Sequence, residues 1–575
     1  MSQRNAVNEG DLIIVNAKVT TVDPKNPEAE AIAIRDGRFL LVGTEAEVRA
    51  AAPEAAVIDA KGHRVIPGLI DSHTHAIRQG NNFAMEVRWE GITSLSDALR
   101  MLKRQAEITP PGQWIRVVGG WSASQFAEKR LPTLAEINAV APEVPVYVLH
   151  LYDRAWLNQA ALRALNIDEH FYETWMSGHL ERDDHGVPTG LALARPNAFP
   201  LYALLDQGPK LSRDEQLAST QQYMSALNGL GLTTVLDCAG GFLNYPDDYT
   251  VLQQLHKEEK LTVRFGYQLF AQRPGRELED FMRWNEIAKS GQGDDYMKCI
   301  GAGEMLVASA YDFEDFSFPR PTLSPAMEGD LEPVVDFLLK NNWSIRFHCT
   351  YEESAQRILK VIERCGEKYG LQGRNWIFDH GETITPATME RIAKLGGGIS
   401  YQNRIAFQTQ QYRARYGEQA LREVMPVRKM MESGVPLASG TDATRVSSYN
   451  PWYCIYWLVS GNGMGSEKIW HKEDCLSREE ALQHWTANGA WFAKDEGNRG
   501  QIKAGQLADL AILSADYFSI PEEEINNLFS VLTLVGGKVV STAKRGPFAS
   551  LTSPVLPNIV SWSPINQFGA PGLGH

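Results

Sequence analysis

The sequence predicts an α/β fold: a parallel (β/α)8 barrel of the TIM type, a small β-sandwich built from both chain ends, and a subdomain inserted after the first barrel strand. Three observations carry that expectation. Short apolar segments alternate with helix-forming ones through the middle of the chain, the pattern of a parallel barrel. Both ends are instead rich in β-branched runs. Ionisable side chains close several of the apolar segments, and a barrel carries its chemistry at the C-terminal ends of its strands.

The sandwich comes first in the chain. Residues 11–19 and 31–34 are β-rich, and Asp36-Gly37 ahead of residues 38–43 is a hairpin signal. The far end answers with residues 500–505, 508–513 and 531–540, which read as strands. Neither end supplies enough strands for a core, so residues 1–64 and 500–550 are expected to share one sandwich. The barrel then occupies 65–499, with an insert at 76–211. The stretch 551–575, with four prolines after Ser553, reads as an irregular tail.

The barrel opens on Val65-Ile66-Pro67-Gly68-Leu69-Ile70-Asp71-Ser72-His73-Thr74-His75. Residues 65–70 suit a strand buried on both faces, with Pro67-Gly68 marking a kink. His73 and His75 stand at i and i+2, so in a strand their imidazoles share one face. An isolated His-x-His is more often a pair of ordinary loop histidines, so its partners decide. Seven further strands are expected at 232–237, 263–270, 296–300, 344–348, 376–380, 398–401 and 437–442. Between them lie helices. Ser212-Arg213-Asp214-Glu215 has the form of a capping box, and Gly231 suits the C-terminal cap. Residues 354–368 are amphipathic, and Thr385-Pro386 opens another helix. His348, His380 and Asp442 each close one of these strands.

The insert is too long for a single crossover. Its five tryptophans, Trp89, Trp114, Trp121, Trp156 and Trp175, are first of all core material. The alternative is an aromatic lid over the barrel mouth.

Composition narrows the function. The 575 residues carry 56 Lys and Arg against 70 Asp and Glu, a net charge of −14, which disfavours nucleic acid or an anionic membrane as partner. A small molecule is the expected partner, and a homodimer the expected assembly. The first residues lack the apolar core of a signal peptide, and no run of about 18 apolar residues suggests a membrane span. Six cysteines without a Cys-x-x-Cys pair suit a reducing compartment, so the expected location is the cytoplasm.

The His-x-His stretch, the strand-closing His348, His380 and Asp442, and the Gly-x-Ile-x-x-Gly-x-x-Ala-Asp-Leu pattern at 500–510 together resemble the amidohydrolase superfamily of metal-dependent hydrolases. More narrowly, the chain is similar to amidohydrolase family 3, which includes N-substituted formamide deformylases. The resemblance implies a (β/α)8 barrel whose strand ends hold one or two divalent ions. It implies His73, His75, His348, His380 and Asp442 as ligands, with Lys298 of Met297-Lys298-Cys299-Ile300 as a carboxylated bridge. The other reading of Lys298 is a lysine that snorkels to the rim. Imidazole and carboxylate suit Zn2+, with Mn2+, Fe2+ and Co2+ open on ligand type alone.

The chain also departs from the family. It has Asp153-Arg154 where the family carries Gly-His, Gly301-Ala302-Gly303-Glu304 where Asp-Gly-Ser is common, and Cys349-Thr350-Tyr351 after His348. Substrate-facing candidates are Trp121, Arg154, Glu304 and Asp237. The expected activity is hydrolysis of a C–N bond in an amide, formamide or cyclic amide of a small, partly aromatic molecule. Metal-activated hydroxide would attack, and Asp442 would carry the proton. A decarboxylase or other lyase on the same barrel, and a non-catalytic scaffold, are the alternatives.

Overall fold

The computed structural model describes residues 10–551 apart from 169, 171–179, 195–197, 313–315 and 317–318, together with 554, 556 and 561–564. Trp175 and most of the C-terminal stretch lie outside the described residues. Eight parallel strands form one sheet in chain order: Leu69–Thr74, Leu232–Asp237, Arg264–Leu269, Met297–Ala302, Ile345–Cys349, Trp376–His380, Gly398–Gln402 and Leu437–Gly440. They are numbered here as the first to eighth barrel strands. The expected barrel is present, nearly closed.

Closure depends on how the first and eighth strands meet. Asp71 Oδ1 accepts from the amides of Thr441 (3.0 Å) and His73 (3.1 Å), and its Oδ2 accepts from Thr441 Oγ1 at 2.6 Å. The Asp442 amide donates to the His73 carbonyl at 2.8 Å. Gly440 permits this approach, because a β-carbon there would fall 2.4 Å from His73 N. Burial pushes the Asp71 carboxyl up to about 6, against the pull of these donors.

The first strand differs from the expected 65–70. The run breaks at Gly68, whose amide is carried by Asp509 O, and a β-carbon at this position would collide with Thr233. Arg64–Pro67 therefore pairs in a sheet of the sandwich, while Leu69–Thr74 enters the barrel. The kink inferred from Pro67-Gly68 is the point where the chain changes sheet.

Helices pack outside. Arg213–Gly229 begins at the capping box of Ser212 and Glu215, and Gly231 takes φ +89° just beyond it. Glu352–Tyr369 and Pro386–Lys394 follow the fifth and sixth strands. The barrel's lower interior is filled by Leu236, Ile300, Ile377, Ala438 and Phe492, so its floor is a packed plug.

Two further layers flank the barrel. A six-stranded sheet joins Lys18–Thr20, Glu28–Ala29 and Arg64–Pro67 to Leu510–Leu513, Ser530–Val535 and Lys538–Thr542. A four-stranded sheet holds Leu12–Val15, Ala31–Arg35, Arg38–Gly43 and Ala56–Asp59, with Asp36 (φ 50°) and Gly37 (φ 74°) at the hairpin turn. Ile14, Ile34, Ile512 and Leu534 share the core between them. Residues 500–505, expected as a strand, form a turn instead; the Ile502 amide docks on Thr21 O and the Gly505 amide on Phe39 O. The insert contributes a five-stranded sheet from Ile115–Val118 to Pro188–Leu193. Trp89, Trp121 and Trp156 fill one of its cores and Trp114 the other. Among the described residues no helix is long and apolar enough to cross a membrane.

Arg264, at the start of the third barrel strand, donates to Asp509 beside the sandwich through Nε (2.7 Å) and Nη2 (2.9 Å), and both residues are buried. Burial opposes ionisation of Asp509, but Arg264 holds its carboxyl below the usual range. Arg264→Met strands that carboxylate, so urea unfolding should show a loss of about 3–5 kcal/mol. The pair's contribution is present above the unfolded-state carboxylate pKa and is lost as pH falls through the depressed folded value, so wild type and variant should converge under acid conditions.

Candidate metal centre

Six side chains meet at the C-terminal mouth of the barrel: His73 on the first strand and His75 just past it, Glu304 two residues past the fourth, His348 on the fifth, His380 ending the sixth and Asp442 after the eighth. All are buried. Two backbone departures bring them inward. His380 has φ 82° and Asp442 φ 55°, so each leaves the strict alternation of its strand as it reaches the mouth.

Three of the four imidazoles, those of His73, His75 and His380, are oriented through Nδ1, whereas His348 turns its Nδ1 inward and places its Nε2 3.3 Å from the Asp312 carbonyl. His73 Nδ1 lies 2.7 Å from Asp379 Oδ1, and Asp379 in turn accepts from Arg346 Nε at 2.9 Å. His75 Nδ1 donates to the Ala239 carbonyl at 2.7 Å. His380 Nδ1 lies 2.5 Å from Gln402 Oε1, and the Gln402 amide nitrogen donates to Ser400 O at 2.8 Å, which assigns that oxygen as the acceptor. With their outer nitrogens occupied, the Nε2 atoms of His73, His75 and His380 face a common space.

The inner atoms converge. Asp442 Oδ1 is 3.1 Å from His75 Nε2 and 3.5 Å from His73 Nε2. Glu304 Oε2 lies 2.9 Å from His348 Nδ1 and 3.1 Å from His380 Nε2, while Oε1 is 3.9 Å from His73 Nε2 and 3.7 Å from His75 Nε2. One atom each from His73, His75 and Asp442 falls within 4.8 Å of the others, as do atoms from His73, Glu304 and His380. His73 Nε2 is buried with no hydrogen-bond partner, a lone pair that needs an electrophile. Imidazole nitrogens and carboxylate oxygens in this grouping fit a divalent cation.

Without a cation the surrounding acids favour a proton on His73, which metal binding would displace. Burial works against charge on His73, yet Cys238, Asp379 and Glu304 hold its pKa well above the usual imidazole value. Burial, with Arg404 and His348, pushes His380 down to about 4, leaving it a neutral donor. Burial would raise Asp442, but the bonds from His73 and His75 hold it well below the usual range; His73 and His348 do the same for Glu304.

Lys298 does not join the cluster, and its expected placement as a bridge is corrected here. It is the second residue of the fourth strand, below the plug layer of Ile300, and its Nζ meets Asp495 at 3.2 Å. The strand must run past Ile300 to Ala302 before it reaches the mouth, and the residue delivered there is Glu304. Trp121 is fully buried, donates to Leu149 O at 3.0 Å and packs on Trp89, so it is core and not lid. Arg154 pairs with Asp153, whose other oxygen takes His150 Nδ1 at 2.6 Å. Asp237 accepts the amides of Ile77 and Ala239, both at 2.8 Å, and so shapes the backbone behind His75.

Sequence reasoning missed Arg346, Asp379, Gln402 and Tyr311. Two of them had a signal: Arg346 shares the inward face of its strand with His348, and a buried arginine calls for an acid such as Asp379. Tyr311 stacks on His348 with ring centroids 4.2 Å apart, beyond the reach of any strand pattern. It lines a chamber of about 350 Å3 with Phe199, Phe242, Phe270, Met305 and Ala308. Met305 follows Glu304, so the chamber opens beside the cluster.

Comparison with known proteins gives concordant results. A model of the amidohydrolase family matches residues 56–541. N-substituted formamide deformylase of Arthrobacter pascens is 26% identical over 559 residues, covering 92% of this chain and 97% of that one. An uncharacterized metal-dependent hydrolase from Pyrococcus horikoshii OT3 superposes with a TM-score of 0.64 at 18% identity, over 89% of this chain and 99% of that one. Atrazine chlorohydrolase from Arthrobacter aurescens TC1, solved in complex with zinc, superposes with a TM-score of 0.53 at 14% identity, over 96% and 98%. At these identities the two superpositions speak for the fold.

The positions of Glu304 and Lys298 generate a contrast that elemental analysis reads directly. Glu304→Ala should lower bound metal by half or more, whereas Lys298→Ala should keep wild-type stoichiometry while losing only its part-buried pair with Asp495. The opposite pattern would restore the lysine bridge.

Proposed function

The chain belongs to the amidohydrolase family, and from that premise we propose that it hydrolyses a carbon–nitrogen bond, other than a peptide bond, in a small amide, formamide or cyclic amide. The observation that carries this reading is the convergence of buried imidazole and carboxylate atoms beside an apolar chamber. His73, His75, His380, Asp442 and Glu304 would hold the cation, with His348 against Glu304, and Zn2+ is the ion proposed, one or two per chain. When bound, a divalent cation supplies polarisation of the substrate carbonyl and activation of water near neutral pH.

The chain's own residues supply the rest. Asp442 remains a carboxylate because its histidine partners hold its pKa down. Its Oδ1 faces His73 and His75, and its Oδ2 lies 3.7 Å from Arg404 Nη1. A carboxylate so placed takes a proton from the attacking water and returns it to the departing nitrogen. Arg404 is itself fixed by buried Glu382, through Nε at 2.9 Å, so the guanidinium orients Asp442 without moving. Phe242, Phe270, Met305 and Tyr311 receive the apolar or aromatic part of the substrate and exclude water from it. Glu304 offers one oxygen to each half of the histidine set, the task the lysine was expected to perform.

The formamide deformylase relative makes N-substituted formamides the first compounds to assay, with amine release as the signal. Asp442→Asn keeps the size and one acceptor while losing basicity, so it should retain much of its metal and lose about 100-fold or more in kcat. Wild-type turnover by the metal-loaded variant would remove Asp442 from the proton path. Release of CO2 without amine would favour a lyase.

A further inference from the structure

Gly241 and Phe242 line both the aromatic chamber and a second cavity of about 130 Å3. Three arginines line that second cavity: Arg116, whose guanidinium is held by the Pro209 carbonyl, Arg78, in the helix Ala76–Asn82 that follows His75, and Arg445, three residues after Asp442. Arg78 stands against the centre, since a β-carbon on Gly240 would lie 2.7 Å from its Nη1 and 3.2 Å from His75 Nδ1. Gly240 leaves that space open. Arg445 is 8% exposed, lies 3.7 Å from the centre of the Tyr202 ring, and has its Nη1 buried without a hydrogen-bond partner.

The acids around the cavity are already engaged. Glu86 takes Arg88 and, at 2.7 Å, Gln79 Nε2; Asp206 takes Lys210 at 2.9 Å; Asp248 accepts the Asn244 amide at 2.6 Å. Among the described residues neither the Arg78 nor the Arg445 guanidinium has a carboxylate in hydrogen-bonding contact. Burial and Arg445 weigh against charge on Arg78, and Asp442 and Asp237 offset this only through space, with no direct ion pair. An oxyanion between Arg78 and Arg445 offsets both penalties. A carboxylate suits the planar fork of an arginine, which can donate to both of its oxygens at once, and a cavity of this size admits a small group.

We propose that this recess is the carboxylate subsite of the active site: Arg78 and Arg445 receive a carboxylate borne by the substrate, whose apolar part lies in the chamber of Phe242 and Tyr311. The inference rests on reading the barrel mouth as the substrate site. It makes the substrate an amide that also carries an acid, and a simple neutral formamide a poor one.

Calorimetric binding of three non-hydrolysable probes to the purified metal-loaded protein tests it: 4-phenylbutyrate, the neutral 4-phenylbutanol, and the corresponding phenylalkyl phosphonate. The carboxylate should bind about tenfold or more tightly than the alcohol, the scale of a charge-assisted hydrogen bond. Arg78→Met and Arg445→Met should each erase most of that preference while metal content stays at the wild-type level. Should Arg445→Met fail to fold, Arg445→Lys, which keeps the charge and loses the fork, should still weaken the carboxylate severalfold. Equal binding of acid and alcohol, no binding of either, or a preference that survives in these variants overturns the proposal. Tightest binding by the phosphonate overturns the carboxylate assignment in favour of a phosphate group. Metal content and amine release on the same preparations report separately on the hydrolase reading.

Discussion

A buried imidazole has two nitrogens, and the mouth of this barrel is organised by what is done with the second one. Asp379, the Ala239 carbonyl and Gln402 each take the outer nitrogen of His73, His75 and His380. The inner nitrogens are thereby left as lone pairs aimed at Asp442 and Glu304. The orienting groups are themselves tied, Asp379 by Arg346 and Gln402 by Ser400. Ring rotation in any one histidine would break a hydrogen bond in a dry site, which is costly enough to hold all of them in place.

That arrangement depends on barrel closure. Asp71 ties the first strand to the eighth, two residues before His73 and one before Asp442 on the opposite strand's extension through Thr441. The same carboxylate therefore sets the separation of ligands that are far apart in sequence. Glycines at 68 and 440 matter for the same reason: each stands where the backbone of one strand presses on the side chain or backbone of another. The barrel floor, plugged by Ile300, Ile377 and Phe492, confines chemistry to the opposite end.

This also explains what was legible in the sequence. The eight strands could be read because apolar segments, caps and turn residues are local signals, and the strand-closing histidines and Asp442 follow from them. Lys298 was misplaced because the resemblance speaks to sequence position, whereas the mouth is reached only where the strand ends, four residues later. Glu304 was visible as a departure from the family pattern but not as its replacement. Gln402, Tyr311 and the Arg78–Arg445 pair come from different strands and loops, and no spacing in one dimension relates them. The tryptophans went the ordinary way of large aromatics, into the insert's cores.

The mouth is asymmetric. Aromatic and thioether side chains line one cavity, guanidiniums line the other, and the two meet at Gly241 and Phe242. A neutral reacting group held between an apolar wall and a cationic one would be oriented before any bond changes. The hydrolase reading requires a cation at the centre of the histidine cluster. Anomalous diffraction from crystals of the protein purified with its native metal tests that requirement most directly. The account predicts a peak within bonding distance of His73 Nε2, His75 Nε2 and Asp442 Oδ1, with any second peak against Glu304 and His380; a peak on Lys298 and Asp495, or none at the mouth, would contradict it.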